Sequence, residues 1–318
     1  MAASIAGTRT DNGSTLMARR CAYLTMENPA GWTIDAELGF PPLEAMGWQI
    51  DSVPWRSEDI DWDLYDAVYI GTPWDYPEDP DRFMQVLECA DQSRAVLVND
   101  IALVRWTIPK TYLRDVEKMG VAIVPSIWSD TIVVGSIENA FDQVGADKLI
   151  VKPVFSTNAT DTFLFARETL PDLIDQLSET FAERPFLVQP FISNIQSEGE
   201  YSLFYFNKVF SHAIQKIPKP NDFRVQEEHG AEIIPVDPEP ALREAGDQLM
   251  NVVDPMPVYG RADFVRGSDG RFLVMELELI EPSMYLRMNK EAPQRFAEAF
   301  DNYVSNVSGG NKKCSEIS

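Results

Sequence analysis

Apolar and polar positions alternate most regularly between Tyr259 and Ile280, and the rest of the chain is organised around that stretch. The pattern predicts two strands, Tyr259–Arg266 and Arg271–Ile280, joined by the polar turn Gly267-Ser268-Asp269-Gly270. Side chains alternate faces along a strand, so Arg261 and Asp263 share one face, as do Glu276 and Glu278. Pairing residue 266 with 271 sets Arg261 opposite Glu276 and gathers all four on one side of the hairpin. Ala262, Phe264, Met275, Leu277 and Leu279 fall on the other side and read as core.

Upstream, the apolar runs Ala22–Thr25, Trp48–Val53, Ala67–Thr72 and Ala95–Asn99 read as strands. Phe83, Met84, Val86, Leu87 and Ala90 form a helical stripe, with Asp79 as N-cap and Pro80 in the first turn. This alternation predicts a small, open, mostly parallel α/β sheet, whose ligands sit beyond the C-terminal strand ends. Asp75 and Tyr76 follow such an end; they either contact substrate or belong to a proline-fixed turn around a buried Trp74. Pro109 opens a helix with the stripe Tyr112, Leu113, Val116 and Met119, closed by Gly120. Lys110 sits in its first turn, where the helix dipole disfavours a cation unless an anion is near. Lys152 lies within the apolar strand Leu149–Val154 and needs a partner, either a phosphate or, by snorkelling, a surface carboxylate. A hydroxyl-rich loop, Ser156–Thr162, connects it to the strand Phe163–Arg167. Leu203–Phe206 and Val209–Gln215 form a second hairpin, followed by Lys216. The polar segment Ile217–Ile234 reads as a lid or binding loop, or as a solvated charged loop, with Arg224 its only arginine. Asp237–Val253 is amphipathic, and a last helix, Pro293–Val304, carries Phe296, Phe300 and Tyr303 along one stripe.

Charge narrows the classes. The 318 residues hold 27 Lys plus Arg against 50 Asp plus Glu, a formal charge of −23. Neither nucleic acid nor an anionic membrane finds a basic footprint here. An anionic ligand must rely on a few local lysines and arginines plus metal. Cys21, Cys89 and Cys314 are too scattered for a metal or disulfide pattern, and two histidines are too few for a histidine-based metal site. No apolar run reaches membrane-spanning length and no signal-peptide core stands at the N-terminus, so the expected setting is the cytoplasm. Residues 1–17 and the tail 306–318 are expected to be disordered.

Three carboxylates crowded beside one guanidinium on a single face do not all stay ionised unless a cation sits between them, the alternative being a solvated acidic strand on a very acidic protein. An all-oxygen set suits Mg²⁺ or Mn²⁺, which take their remaining ligands from water and phosphates. The string Gly260-Arg261-Ala262-Asp263, then Glu276-Leu277-Glu278, then Pro282-Ser283 resembles the metal-binding hairpin of the ATP-grasp superfamily. The likeness is to the glutathione-synthetase-like members, and within them to the cyclo-ligase branch of D-cycloserine biosynthesis. Thr72-Pro73-Trp74-Asp75-Tyr76, the stretch from Lys110 to Gly120 and the string from Ser211 to Ala231 also resemble that branch. The branch has an arginine where this chain has Thr160, and the family's usually glycine-rich loop holds no glycine between Ser156 and Thr162.

The resemblance implies an α/β protein of ATP-grasp fold with an N-terminal open sheet domain over residues 18–105. A small lobe over 106–185 and a large lobe over 186–305 then clasp the nucleotide. It implies that Lys110 and Lys152 hold the α- and β-phosphates under the loop at Ser156, that Gln189 and Phe191 flank adenine, and that Glu200 takes the ribose. Asp263, Glu276 and Glu278 hold two Mg²⁺ ions, with Mn²⁺ as an alternative. Arg261, Arg224 and Lys216 serve catalysis, and Asp75, Tyr76, Glu281 and Ser283 contact substrate. The implied activity is ATP-dependent ligation of a small-molecule carboxylate to an amine, or an internal cyclisation, through an acyl phosphate. A small-molecule kinase and a non-catalytic nucleotide binder are the alternatives, and a homodimer is left open.

Overall fold

The structure, a computed structural model, describes residues 18–157, 159–220 and 222–315. The expectations for residues 1–17, for Asn158 and for the last three residues lie outside them. The chain packs as two compact units, one running up to Ile101 and resuming at Tyr285, the other spanning Ala102–Met284.

In the first unit the elements are β1 (Arg19–Thr25), α1 (Phe40–Ala45), β2 (Trp48–Pro54), β3 (Ala67–Thr72), α2 (Pro80–Asp91) and β4 (Val96–Val98). The strands form one parallel sheet in the order β2-β1-β3-β4. All six residues of β3 are buried, as a central parallel strand requires. Gly71 has no alternative there, because a Cβ would stand 1.9 Å from the ring of Tyr23. Asp79 caps α2 as expected, its Oδ1 accepting from the Arg82 N–H at 3.2 Å. Phe83, Leu87 and Ala90 are its buried face.

The C-terminal helix, Ala292–Ser315, belongs to this same unit. Phe296 lies 5.3 Å from Tyr69, Phe300 lies 5.3 Å from Trp48, and Trp48 Nε1 donates to Asp301 Oδ1 at 2.9 Å. One expectation is corrected here. The helix is not part of a large lobe ending at 305, because its aromatic stripe finds its apolar face on β2 and β3. It extends beyond Val304, its expected end, as far as Ser315.

The second unit contains α3 (Ile101–Thr107), α4 (Tyr112–Lys118), β5 (Ile127–Ser129), α5 (Val134–Val144), β6 (Lys148–Pro153), β7 (Phe163–Ala166), α6 (Leu170–Thr180), β8 (Phe186–Pro190), α7 (Asn194–Ser197), β9 (Glu200–Phe206), β10 (Val209–Ile217), β11 (Glu232–Val236), α8 (Pro240–Val252), β12 (Tyr259–Arg266) and β13 (Phe272–Glu278). An antiparallel sheet in the order β5-β8-β6-β7 buries Leu149, Val151, Phe165, Phe186 and Val188 against α5 and α6. A second antiparallel sheet, β11-β10-β9-β12-β13, buries Leu203, Tyr205, Ala262, Phe264, Leu277 and Leu279 against Leu242, Leu249 and Met250 of α8. On the opposite face of the second sheet Arg261, Asp263, Ser202 and Glu200 stand among buried apolar residues such as Phe204 and Tyr259.

Local details depart from the sequence pattern. Met119 is 56% exposed, because α4 ends one residue before it and no turn remains to carry the stripe inward. Lys110 precedes the N-cap Thr111 rather than sitting in the first turn. Lys216 lies inside β10, and β11 occupies the end of the segment read as a loop.

Candidate active site

Geometry at the site begins with a β-bulge. Arg266 pairs with Phe272, Val265 with Leu273 and Phe264 with Val274; beyond a break at Met275, Asp263 pairs with Glu276 and Arg261 with Glu278. The expected pairing of Arg261 with Glu276 is therefore wrong by two positions, one added in the turn and one in the bulge. A shift of two preserves the alternation, so the four charged residues still share a face. With the turn alone, Glu276 and Glu278 would point into the core; the extra residue returns them. Met275 is the residue spent on this. It is half-buried beside Val265, Leu273, Phe191 and Phe223 rather than in the core where alternation placed it.

Neighbouring strands complete the face. Ser202 on β9 is the direct partner of Asp263, and its hydroxyl donates to Asp263 Oδ1 at 2.5 Å. Glu200, two residues earlier, pairs across the other edge with Lys216, whose Nζ lies 2.8 Å from Glu200 Oε1 and 3.6 Å from Asp263 Oδ1. Gly199 makes this approach feasible: its φ is +94°, and a Cβ would meet the Lys216 carbonyl oxygen at 2.4 Å. Arg261 donates from Nε to both oxygens of Asp263 at 3.1 Å, and its Nη2 also reaches Glu278. From the preceding segment, Lys110 Nζ donates to Glu276 Oε1 and to the Ser156 carbonyl, each at 2.8 Å. The Lys152 ammonium, on β6, makes no hydrogen bond or ion pair among the described residues.

These contacts set the charges. Burial pushes the Glu278 carboxyl up to about 7, with the neighbouring carboxylates adding to the shift and Arg261 opposing it. Burial also acts to raise Asp263, but Arg261 and Lys216 outweigh it and hold the carboxyl below its ordinary value. Glu276 is likewise held low against burial, by Lys110 and Lys152. Burial raises Glu200 despite Lys216, and lowers the Lys152 ammonium to about 8. The face therefore holds alternating charge with one lysine left to be satisfied by an anion.

Ligand-type oxygens of Asp263, Glu276 and Glu278 lie within 4.8 Å of one another, the one such set of three among the described residues. Three hard oxygen donors on two adjacent strands fit a divalent cation of the Mg²⁺ class. Glu276 and Glu278 keep about a third of their side chains exposed (34% and 31%), so each can turn an oxygen to an ion, while Asp263 is fixed from behind by Ser202 and Arg261.

Lys110, Lys152, Ser156, Glu200, Lys216, Arg261 and the three carboxylates are thus brought together. Ser283 joins them through its carbonyl, which accepts from Arg261 Nη1 at 3.4 Å, and Glu281 is half-buried in the same segment. Phe191 packs in the apolar cluster beside Met275, and Gln189 is buried with its amide donating to Ser126 Oγ at 2.9 Å. Arg224 is exposed and its guanidinium is taken by Asp222, two residues away, so its expected catalytic role finds no support. In the other unit, Tyr76 is 3% exposed and stacks on Phe83 at 4.6 Å, which makes it core rather than a substrate contact. Asp75 accepts from Trp55 Nε1 at 2.6 Å and pairs with Arg56, an alternative use for its charge. In the loop after Lys152, Ala159 and Asp161 take the left-handed conformation that a glycine-rich loop would supply, with φ of 56° and 54°. That costs about 1–2 kcal/mol per residue. Ser202 on the face and Tyr112 in the core behind it carry no chemical flag in the sequence; for Ser202 the signal was its two-residue spacing from Glu200.

A charged sheet face with an acidic hairpin, two lysines from the preceding segment and an N-terminal parallel sheet define the ATP-grasp fold, and the chain has it. It is a homologue of D-cycloserine synthetase DcsG. Residues 21–99 match the family model for the N-terminal domain of that synthetase. The chain is 27% identical over 290 residues to the cycloserine biosynthesis protein DcsG of Streptomyces lavendulae, covering 84% of this chain and 94% of that one. The crystal structure of D-cycloserine synthetase DcsG superposes with a TM-score of 0.79 at 24% identity, covering 90% of this chain and 99% of that one. The ATP-grasp ligase PsnB, complexed with a precursor variant, Mg and ADP, superposes with a TM-score of 0.63 at 15% identity over 91% of this chain and all of that one. Among the described residues no helix is long and apolar enough to cross a membrane.

Proposed function

We propose that the protein is an ATP-dependent ligase that activates a small-molecule carboxylate as an acyl phosphate for attack by an amine-type nucleophile, releasing ADP and phosphate. The observation that carries this reading is the bulged hairpin, which converges Asp263, Glu276 and Glu278 beside Lys110 and Arg261. The relatives are a synthetase and a ligase, which favours ligation over the small-molecule kinase. Divalent ions held by the three carboxylates, two of them in this reading and Mg²⁺ or Mn²⁺ by donor type, neutralise the triphosphate. Lys110 and Lys152 hold the α- and β-phosphates, with the Ser156 loop over them. Gln189 and Phe191 border the adenine, and Glu200 accepts from the ribose hydroxyls. Arg261 steadies the oxyanion that forms when the nucleophile adds, and Lys216 keeps Asp263 ionised beside it. Glu281, Ser283 and Asp75 are the remaining candidates for substrate contact. Because one relative is a D-cycloserine synthetase, amino-acid carboxylates are the first substrates to test, in a cytoplasmic setting where ATP is supplied.

The test is a screen of amino acids, alone and paired with amines, for release of ADP and phosphate, with mass spectrometry of the products. Phosphate release that requires a nucleophile, in the same molecule or a second one, supports ligation. ADP release with a stable phosphorylated product and no free phosphate assigns a kinase instead.

Lys152 supplies a second check. A lysine whose ammonium is lowered to about 8 is mostly neutral at pH 9, and a phosphate beside it restores the charge. Nucleotide binding at pH 8.5–9 is therefore expected to take up a proton that binding at pH 6.5 does not. Calorimetry in buffers of differing ionisation enthalpy reads the difference. Equal uptake at both pH values, or the same uptake in Lys152→Met, removes Lys152 from the phosphate site.

A further inference from the structure

The strand that carries Glu276 and Glu278 is the edge of its sheet, and its outward backbone donors need partners. Before the bulge, a neighbouring segment supplies them: Val274 N–H donates to Ala122 O at 2.9 Å, and Val124 N–H donates to Val274 O at 3.1 Å. Beyond Met275 the partner changes. The N–H of Leu277, the residue between the two glutamates, donates to Tyr112 Oη at 2.7 Å. Tyr112 is 2% exposed at the start of α4, its ring 5.6 Å from that of Trp106, so the hydroxyl is held by packing. Lys110, two residues upstream, holds the Glu276 carboxylate at 2.8 Å. One short segment thus grips Glu276 twice, by its side chain and by the peptide that follows it.

We propose that Tyr112 is a positioning residue for the metal-binding carboxylates, its hydroxyl fixing the peptide between Glu276 and Glu278 so that both stay within reach of the ion that Asp263 binds. This rests on the metal reading of the hairpin and deepens it. Glu276 and Glu278 pair with Asp263 and Arg261 on β12, whereas the Leu277 N–H between them is turned off the open edge and has the Tyr112 hydroxyl as its acceptor. Without that acceptor the buried N–H is left unsatisfied, and a shift of the edge strand to satisfy it carries both glutamates with it.

Tyr112→Phe keeps the ring and removes only the acceptor. Mn²⁺ binding to the full chain without nucleotide, followed by the loss of the free-ion electron paramagnetic resonance signal, is expected to weaken about 10-fold, in the range for loss of a group that orients metal ligands. Val116→Ala, which opens a cavity on the same helix, is the control: it is expected to lower the melting temperature without moving the Mn²⁺ affinity. Tyr112→Phe with wild-type Mn²⁺ affinity, an equal weakening in Val116→Ala, or a Tyr112→Phe chain that does not fold each overturns the positioning role. Wild-type protein that binds no Mn²⁺ overturns the metal reading itself, which keeps the two failures apart.

Discussion

Glu276→Gln is expected to lower ATP-dependent turnover roughly 10³-fold or more, with the protein still folded. A ligand that neutralises phosphate charge supplies several kcal/mol of transition-state stabilisation, and each 1.4 kcal/mol is a factor of about ten. The amide keeps the size of the side chain and one oxygen for Lys110, which donates to Glu276 Oε1 at 2.8 Å, so the fold loses little. What the amide cannot do is carry charge to a cation, or counter the two lysines that hold Glu276 below its ordinary pKa. Phosphate release under saturating ATP and Mg²⁺ is the measurement, with circular dichroism and melting to confirm folding. Turnover within about tenfold of wild type would remove Glu276 from the metal site.

Much of this site was legible because alternation and charge agree. Arg261, Asp263, Glu276 and Glu278 were placed on one face by a two-residue period alone, and the error of two in register did not disturb that. The bulge was not legible: nothing about Met275 distinguishes it from Leu277 in hydrophobicity, and only the pairing with β12 shows which residue is extra. Lys152 stood out as a charge in an apolar strand, and the structure shows why it matters, since Glu276 rather than a surface carboxylate is the acidic neighbour that acts on it most strongly. Tyr112 was hidden for the opposite reason. On a helical stripe an aromatic reads as core, which it is; its hydroxyl acquires a role only through a strand 165 residues away in sequence. Arg224 shows the limit of reasoning by residue type: a lone arginine in a polar loop looks reserved for substrate, yet Asp222 two positions before it satisfies the guanidinium locally. The C-terminal helix was legible as a helix, but not as a partner of β2 and β3, since its stripe fits any apolar sheet.

Arg261→Met is expected to be destabilising, strongly pH-dependent, and partly rescued by divalent cation. Arg261 is the main counter-charge of Asp263, whose side chain is 3% exposed, and it also contacts Glu278. Removing one partner of a buried ion pair costs about 3–5 kcal/mol, because the other charge stays buried. The sign with pH follows from the protons. In wild type, Glu278 titrates near 7 in the folded chain against 4.5 ordinarily, so between those values the folded state holds a proton the unfolded state has lost. Stability from this group is present below about pH 4.5 and is lost as pH rises through about 7. Asp263 behaves oppositely in wild type: held low, it contributes stability at neutral pH that is lost only in acid. Without Arg261 its carboxyl rises as well, and both groups then favour the acid side. The melting-temperature deficit of Arg261→Met relative to wild type should therefore be larger at pH 8 than at pH 5, and added Mg²⁺ should narrow it at pH 8 by supplying the missing positive charge. A deficit that is the same at both pH values, or indifferent to Mg²⁺, would mean that Arg261 acts by packing alone and that the carboxylates beneath it do not share a cation.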